Sequence, residues 1–189
     1  VFEDPNLFYQ LVNGSSADSD IPPATLAGEE LGFLKQIAIS SIQYSKVIQE
    51  CAAKGKINIT YPSSNLARQL QIVSKLISGG IETPIFLTTI GGFDTHANQL
   101  TQHANLWKTI SEAVTAFQTD LENMNLADSV SVVTFSEFGR TVKQNGTLGT
   151  DHGAAAPMFV IGKTVRGGLI GENPNLKILD ASGDLKFNY

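Results

Sequence analysis

Residues 84–96 read Pro-Ile-Phe-Leu-Thr-Thr-Ile-Gly-Gly-Phe-Asp-Thr-His, an apolar run with β-branched residues that stops at a glycine pair and opens onto an aspartate and a histidine. A short run of that character suits a strand buried on both faces. Ser129-Val130-Ser131-Val132-Val133-Thr134-Phe135 repeats the pattern and runs into Ser136-Glu137-Phe138-Gly139-Arg140-Thr141. A third apolar run, residues 157–161, follows Gly149-Thr150-Asp151-His152-Gly153 and precedes a glycine-rich stretch, 162–171, where a hairpin or edge excursion fits.

Helical periodicity fills the intervals. Leu106, Ile110, Ala113, Phe117, Leu121 and Met124 recur at three and four, which predicts a long helix ending before the turn at 125–128. Upstream, Ser63 caps a predicted helix through Leu66, Leu70, Val73 and Ile77 that stops at Gly79-Gly80. Leu31, Leu34, Ala38, Ile42 and Val47, with Lys35, Gln43 and Lys46 between them, predict an amphipathic helix over 29–49. Residues 1–27, rich in Ser, Asp, Asn and Pro, read as an irregular arm or the end of a preceding segment. Helices alternating with apolar strands over 28–189 predict an α/β fold with a parallel sheet covered on both faces. The first residue is not Met and the last element has no clear end at 187–189, so the chain is expected to be a fragment of a longer protein.

Composition narrows the function classes. A hydrophobic share of 42% in 189 residues is that of a chain able to bury a core. A formal net charge of -5 offers no broad cationic surface for nucleic-acid phosphates or anionic lipid. No stretch approaches the ~18 apolar residues of a membrane span, so none is expected. With Cys51 as the single cysteine, no internal disulfide forms, and any metal must be held by oxygen and imidazole.

In parallel α/β sheets ligands bind beyond the carboxyl ends of the strands. The proposed topology would bring Asp94, His96, Glu137, Arg140, Asp151 and His152 to one edge. Mixed carboxylate and imidazole donors suit Zn, Mn or Fe rather than Mg or Ca, and Arg140 would hold an anion through its planar fork. Each residue also has a plainer reading. Asp94 with His96 fits a turn in which the aspartate bonds its own backbone, Glu137 with Arg140 a local ion pair, and Asp151 with His152 a polar loop with a helix cap. His103 lies on the face of Leu106 and Ile110 and reads as a packed helix residue.

GGFDTHANQ, the long helix, SEFGRT, GTDHG and the V-x-GG-L-I-G stretch together resemble the domain of unknown function 1501 family over about residues 64–189. That family is grouped with the alkaline phosphatase, sulfatase and cofactor-independent phosphoglycerate mutase superfamily. The resemblance implies a three-layer α/β/α sandwich with a mostly parallel sheet, of which 28–189 is the C-terminal part, usually with two divalent metals. It makes Asp94 and His96 counterparts of an aspartate and a histidine on one metal, at a shorter spacing. Glu137 stands where those enzymes have an Asp-His pair. His152 takes the place of a late histidine ligand, with Asp151 as ligand or orienter. The superfamily's nucleophile lies on an early strand; residues 1–63 show no such pattern, so it is expected outside this chain.

The expectation is therefore a metal-dependent hydrolase of phosphate or sulfate esters, loaded with Zn or Mn and acting on a small anionic ester. The alternative is a non-catalytic metal-binding or surface module. The family's frequent export signals imply a periplasmic or secreted parent. Oligomeric state is not legible in the sequence.

Overall fold

The computed structural model describes residue 4 and residues 23–186. Most of the expected arm at 1–27, and the chain end at 187–189, lie outside the described residues. The chain divides into two compact units, 1–88 and 89–189.

In the first unit, helix α1 spans Leu26–Lys54 and helix α2 spans Asn65–Ser78. Thr25 caps α1, its hydroxyl accepting from Gly28 N at 3.1 Å. The cap of α2 is Ser64 rather than Ser63, because the hydroxyl that reaches the N–H three residues on, at Ala67, belongs to Ser64 (3.2 Å). The α2 stop falls where the glycine pair predicted it, with Gly80 in the left-handed region at φ 84°. Cys51, Ala52 and Leu76 form the buried centre, with Ile48, Ile72, Ile81 and Phe86 packed against it. The N-terminal half of α1 does not share that burial, and Phe33 and Leu34 stay exposed.

The second unit is organised by helix α3, Gln99–Asn123. Ala113, Phe117 and Leu121, each four residues from the next, are buried on one face with Asp120 beside them. Left-handed Asn125 turns the chain out of the helix, Leu126 N bonding back to Leu121 O at 2.8 Å. A 3-10 turn at Ala127–Ser129 leads into strand β1, Val132–Val133. Strand β2 spans Gly139–Gln144, β3 Thr150–Gly153 and β4 Val160–Ile161. Among the described residues no helix is long and apolar enough to cross a membrane.

The expected three-layer sandwich with a mostly parallel sheet is overturned. The described residues form three helices and two antiparallel two-stranded sheets, β1 with β4 and β2 with β3. Residues 84–90, expected as a buried strand, adopt no strand pairing, and Ile85 and Leu87 are 80% and 63% exposed. In the run at 129–135 the strand itself is only Val132–Val133, extended by one bond from Thr134 N to Phe159 O at 2.9 Å, and Phe135 is left 73% exposed. An apolar run states which side chains favour burial; a sheet also needs a neighbouring backbone to take its N–H and C=O groups, and periodicity does not name that neighbour.

Candidate functional site

Two short segments of the second unit meet at the site: residues 93–99, leading into α3, and the β2–β3 hairpin. Thr95 anchors the first. It is 2% exposed, its hydroxyl accepts from Gln99 Nε2 at 2.9 Å, and its N–H closes a three-residue turn onto Phe93 O at 2.9 Å. Its neighbours Asp94 and His96 are exposed on either side.

The hairpin supplies the opposing wall. Arg140 on β2 lies directly across from His152 on β3, so both side chains leave the same face. A register shift between Arg140 and Gln144 bends the ladder. The turn at 144–149 then clamps the first segment. Ala97 bridges Leu148, Asn98 N bonds Thr147 O at 3.1 Å, and Gln99 N bonds Leu148 O at 3.0 Å. Both sides of this clamp hold left-handed residues, Asn98 at φ 47° and Leu148 at φ 60°. Gly149 is needed for the fit, because a Cβ there would lie 2.2 Å from the His96 carbonyl carbon.

Asp94, His96 and His152 converge, offering one ligand atom each within 4.8 Å of one another. Oδ1 of Asp94 is the meeting point, 2.9 Å from His96 Nε2, 2.7 Å from His152 Nε2 and 3.2 Å from Arg140 Nη2. His152 also stacks on Phe138, ring centroids 4.0 Å apart and 7° from parallel, with the Arg140 guanidinium 5.0 Å from the centre of that same ring.

The remaining sequence candidates take other places. Asp151 stands behind His96, its Oδ1 3.1 Å from Nδ1. Arg140 is 17% exposed and its fork is engaged: Nη1 donates to Thr150 O at 2.7 Å, and Nη2 to Phe93 O and Asp94. Glu137 is exposed and is not one of the three convergent residues. His103 packs edge-on against Phe93 and Trp107. Sequence reasoning missed Asn145, whose side chain joins Asp151, His96 and the hairpin turn. The Asn145-Gly146 dipeptide, a turn signal, was the clue, although the left-handed residue of this five-residue connection is Leu148.

Both aspartates are held below the ordinary carboxylate value of 3.8. For Asp94 the main cause is the His152 hydrogen bond, with the His96 and His152 charges and the Arg140 hydrogen bond pulling the same way against partial desolvation. For Asp151 the Asn145 amide leads, followed by the His96 hydrogen bond. A lowered folded-state pKa adds stability that is present above the unfolded value and is lost as pH falls through the folded one. The metal-free protein is thus expected to lose stability as pH drops below 3.8. Asp94→Asn and Asp151→Asn should each flatten that loss. Denaturant midpoints measured from about pH 5 down to pH 2 check it; parallel profiles in wild type and variants would refute it.

The donors fit a borderline metal. One carboxylate oxygen and two imidazole nitrogens match what Zn, Mn or Fe accept, and such ligands sit about 2.0–2.2 Å from a Zn centre, a spacing that small side-chain shifts reach from these positions. Three protein ligands also leave a further coordination position open, as catalytic Zn sites do and closed structural ones do not.

No curated protein and no solved structure matches the chain. A family model described as "Protein of unknown function (DUF1501)" matches residues 67–183, a span that includes both site segments, and the chain belongs to that family.

Proposed function

We propose that Asp94, His96 and His152 hold a divalent metal, Zn or Mn in preference to Mg, and that the protein is a metal-dependent hydrolase of phosphate or sulfate esters of the alkaline phosphatase and sulfatase type. The observation that carries this reading is the convergence of one carboxylate and two imidazoles, all exposed, on a single point. When bound, the metal would supply Lewis acidity toward a phosphoryl or sulfuryl oxygen. The chain's own residues do the rest. Arg140 offsets the Asp94 charge and fixes the Phe93 carbonyl, so it contributes positive potential at the site rather than a free fork. Phe138 sets the plane of the His152 ring by stacking.

One observation favours the non-catalytic alternative. The hydroxyls flanking the site are committed: Thr95 to Gln99, Thr147 to Asn145 and the His96 carbonyl, Thr150 to Gln99. None of these three stands free to act as a nucleophile. The deciding experiment loads the demetallated chain with Zn, Mn or Mg, measures stoichiometry, and assays aryl phosphate and aryl sulfate hydrolysis with and without chelator. Zn or Mn uptake by this chain is expected, and chelator-sensitive hydrolysis where the nucleophile expected outside it is supplied. Tight Zn or Mn without turnover even then supports the non-catalytic module, and no Zn or Mn uptake overturns both readings.

A further inference from the structure

The two nitrogens of His96 face two different carboxylates. Nε2 lies 2.9 Å from Asp94 Oδ1, and Nδ1 lies 3.1 Å from Asp151 Oδ1. Ionised carboxylates only accept hydrogen bonds, so each nitrogen bonds its carboxylate only while it carries a proton; Asp94 Oδ1 also has His152 Nε2 at 2.7 Å and Arg140 Nη2 at 3.2 Å, and so stays partnered without the Nε2 proton. Whichever nitrogen keeps its proton is closed to a metal. The fate of the ring therefore depends on how firmly Asp151 is held.

Asp151 is held by Asn145, whose amide can be oriented from its partners alone. Its Nδ2 lies 3.2 Å from Asp151 Oδ1 and 2.9 Å from the His96 carbonyl oxygen, both acceptors. Its Oδ1 receives the N–H groups of Thr147 and Gly149, each at 3.0 Å. Flipping the amide would set donor against donor and acceptor against acceptor at all four contacts. The turn thus points one N–H at the Asp151 oxygen that also faces His96 Nδ1 and another at the His96 backbone, and it clamps the carboxylate and the histidine as one piece. The Asp151 N–H is anchored separately, donating to Thr141 Oγ1 at 3.2 Å.

We infer that Asp151 and Asn145 are positioning residues that keep the His96 proton on Nδ1 and so present Nε2 toward Asp94 and His152. The consequence for metal binding rests on the function proposed above; the hydrogen-bond assignment does not. A carboxylate behind a metal-ligating histidine fixes its tautomer and raises its basicity, and removing such a partner typically lowers metal affinity ~10–100-fold.

The test uses the full chain with 15N-labelled histidine. In metal-free protein with the ring neutral, the 15N signals of His96 should show a protonated, exchange-protected Nδ1 and an unprotonated Nε2. Asp151→Ala should abolish that protected Nδ1–H and Asn145→Ala should weaken it. Asp151→Asn, near-isosteric and still offering an acceptor oxygen, should restore part of it. In parallel, Zn2+ competition should show a ~10–100-fold loss for Asp151→Ala and a smaller one for Asp151→Asn. An Nδ1–H signal indifferent to Asp151→Ala and Asp151→Asn overturns the inference even if Zn binds normally. A wild-type chain that shows the protected signal, loses it in Asp151→Ala and takes up no Zn supports the assignment and sinks the metal reading instead.

Discussion

Replacing Asp94 or His152 with Ala is expected to lower Zn affinity by more than the ~100-fold upper range of an outer-shell change, whereas His103→Ala is expected to leave it within about 10-fold. Asp94 Oδ1 is where two imidazoles and a guanidinium meet, so its loss removes a ligand and leaves three cationic or protonatable groups facing one another. His152→Ala deletes a second donor and empties the space over Phe138. His103 makes ring contacts with Phe93 and Trp107. Its ring contact with the site segment is the one with Phe93. Competition against a chromogenic chelator at one pH, with circular dichroism to confirm folding, measures all three. If His103→Ala loses more affinity than His152→Ala, the metal ligands must be sought along α3 instead.

Phe117→Ala should produce the largest loss of stability, about 3–5 kcal/mol. Phe117 is 2% exposed and sits one helical turn from Ala113 and from Leu121, both fully buried, so truncation opens a cavity that α3 cannot close without moving. Against a typical total of about 5–15 kcal/mol, that is a large fraction. Phe135→Ala makes the internal control. At 73% exposed, it should change stability by no more than about 0.5 kcal/mol. Denaturant unfolding followed by the signal of Trp107, itself on α3, reads both. A Phe117 loss below about 1 kcal/mol would show that α3 is not packed through this face.

The helices were legible because each carries its own evidence: α3 has its i, i+4 apolar face, α2 a serine before and a glycine pair after. Strand pairing is not a local property. Residues 84–90 and 129–135 look alike in sequence, yet the first pairs with nothing as a strand and the second only through Val132 and Val133. Asp151 and His152, read as loop residues, are in strand β3, because the turn at 145–149 folds that segment back on β2. Within the site, the acidic and imidazole residues next to apolar runs were visible as candidates. Arg140 was read for its charge, but besides Asp94 its bonds go to carbonyls 10 and 47 residues away, partners with no side-chain signature. Asn145 was legible only as a turn residue: its bonds to Asp151 and the His96 carbonyl follow from a turn whose backbone must first be folded.

The span of these contacts also sets an order of events during folding. Asp94 meets Arg140 and His152 across 46 and 58 residues of chain, while Arg140 reaches Thr150 across only 10. Closing the longer loops costs more entropy and must await the intervening helix, whereas the hairpin and α3 nucleate from near neighbours. The hairpin wall and the helical scaffold therefore form first, and the Asp94 segment docks last. During synthesis the three ligands cannot all be present until His152 on β3 has emerged, and a chain stalled earlier carries α3 with Asp94 and His96 alone of the three.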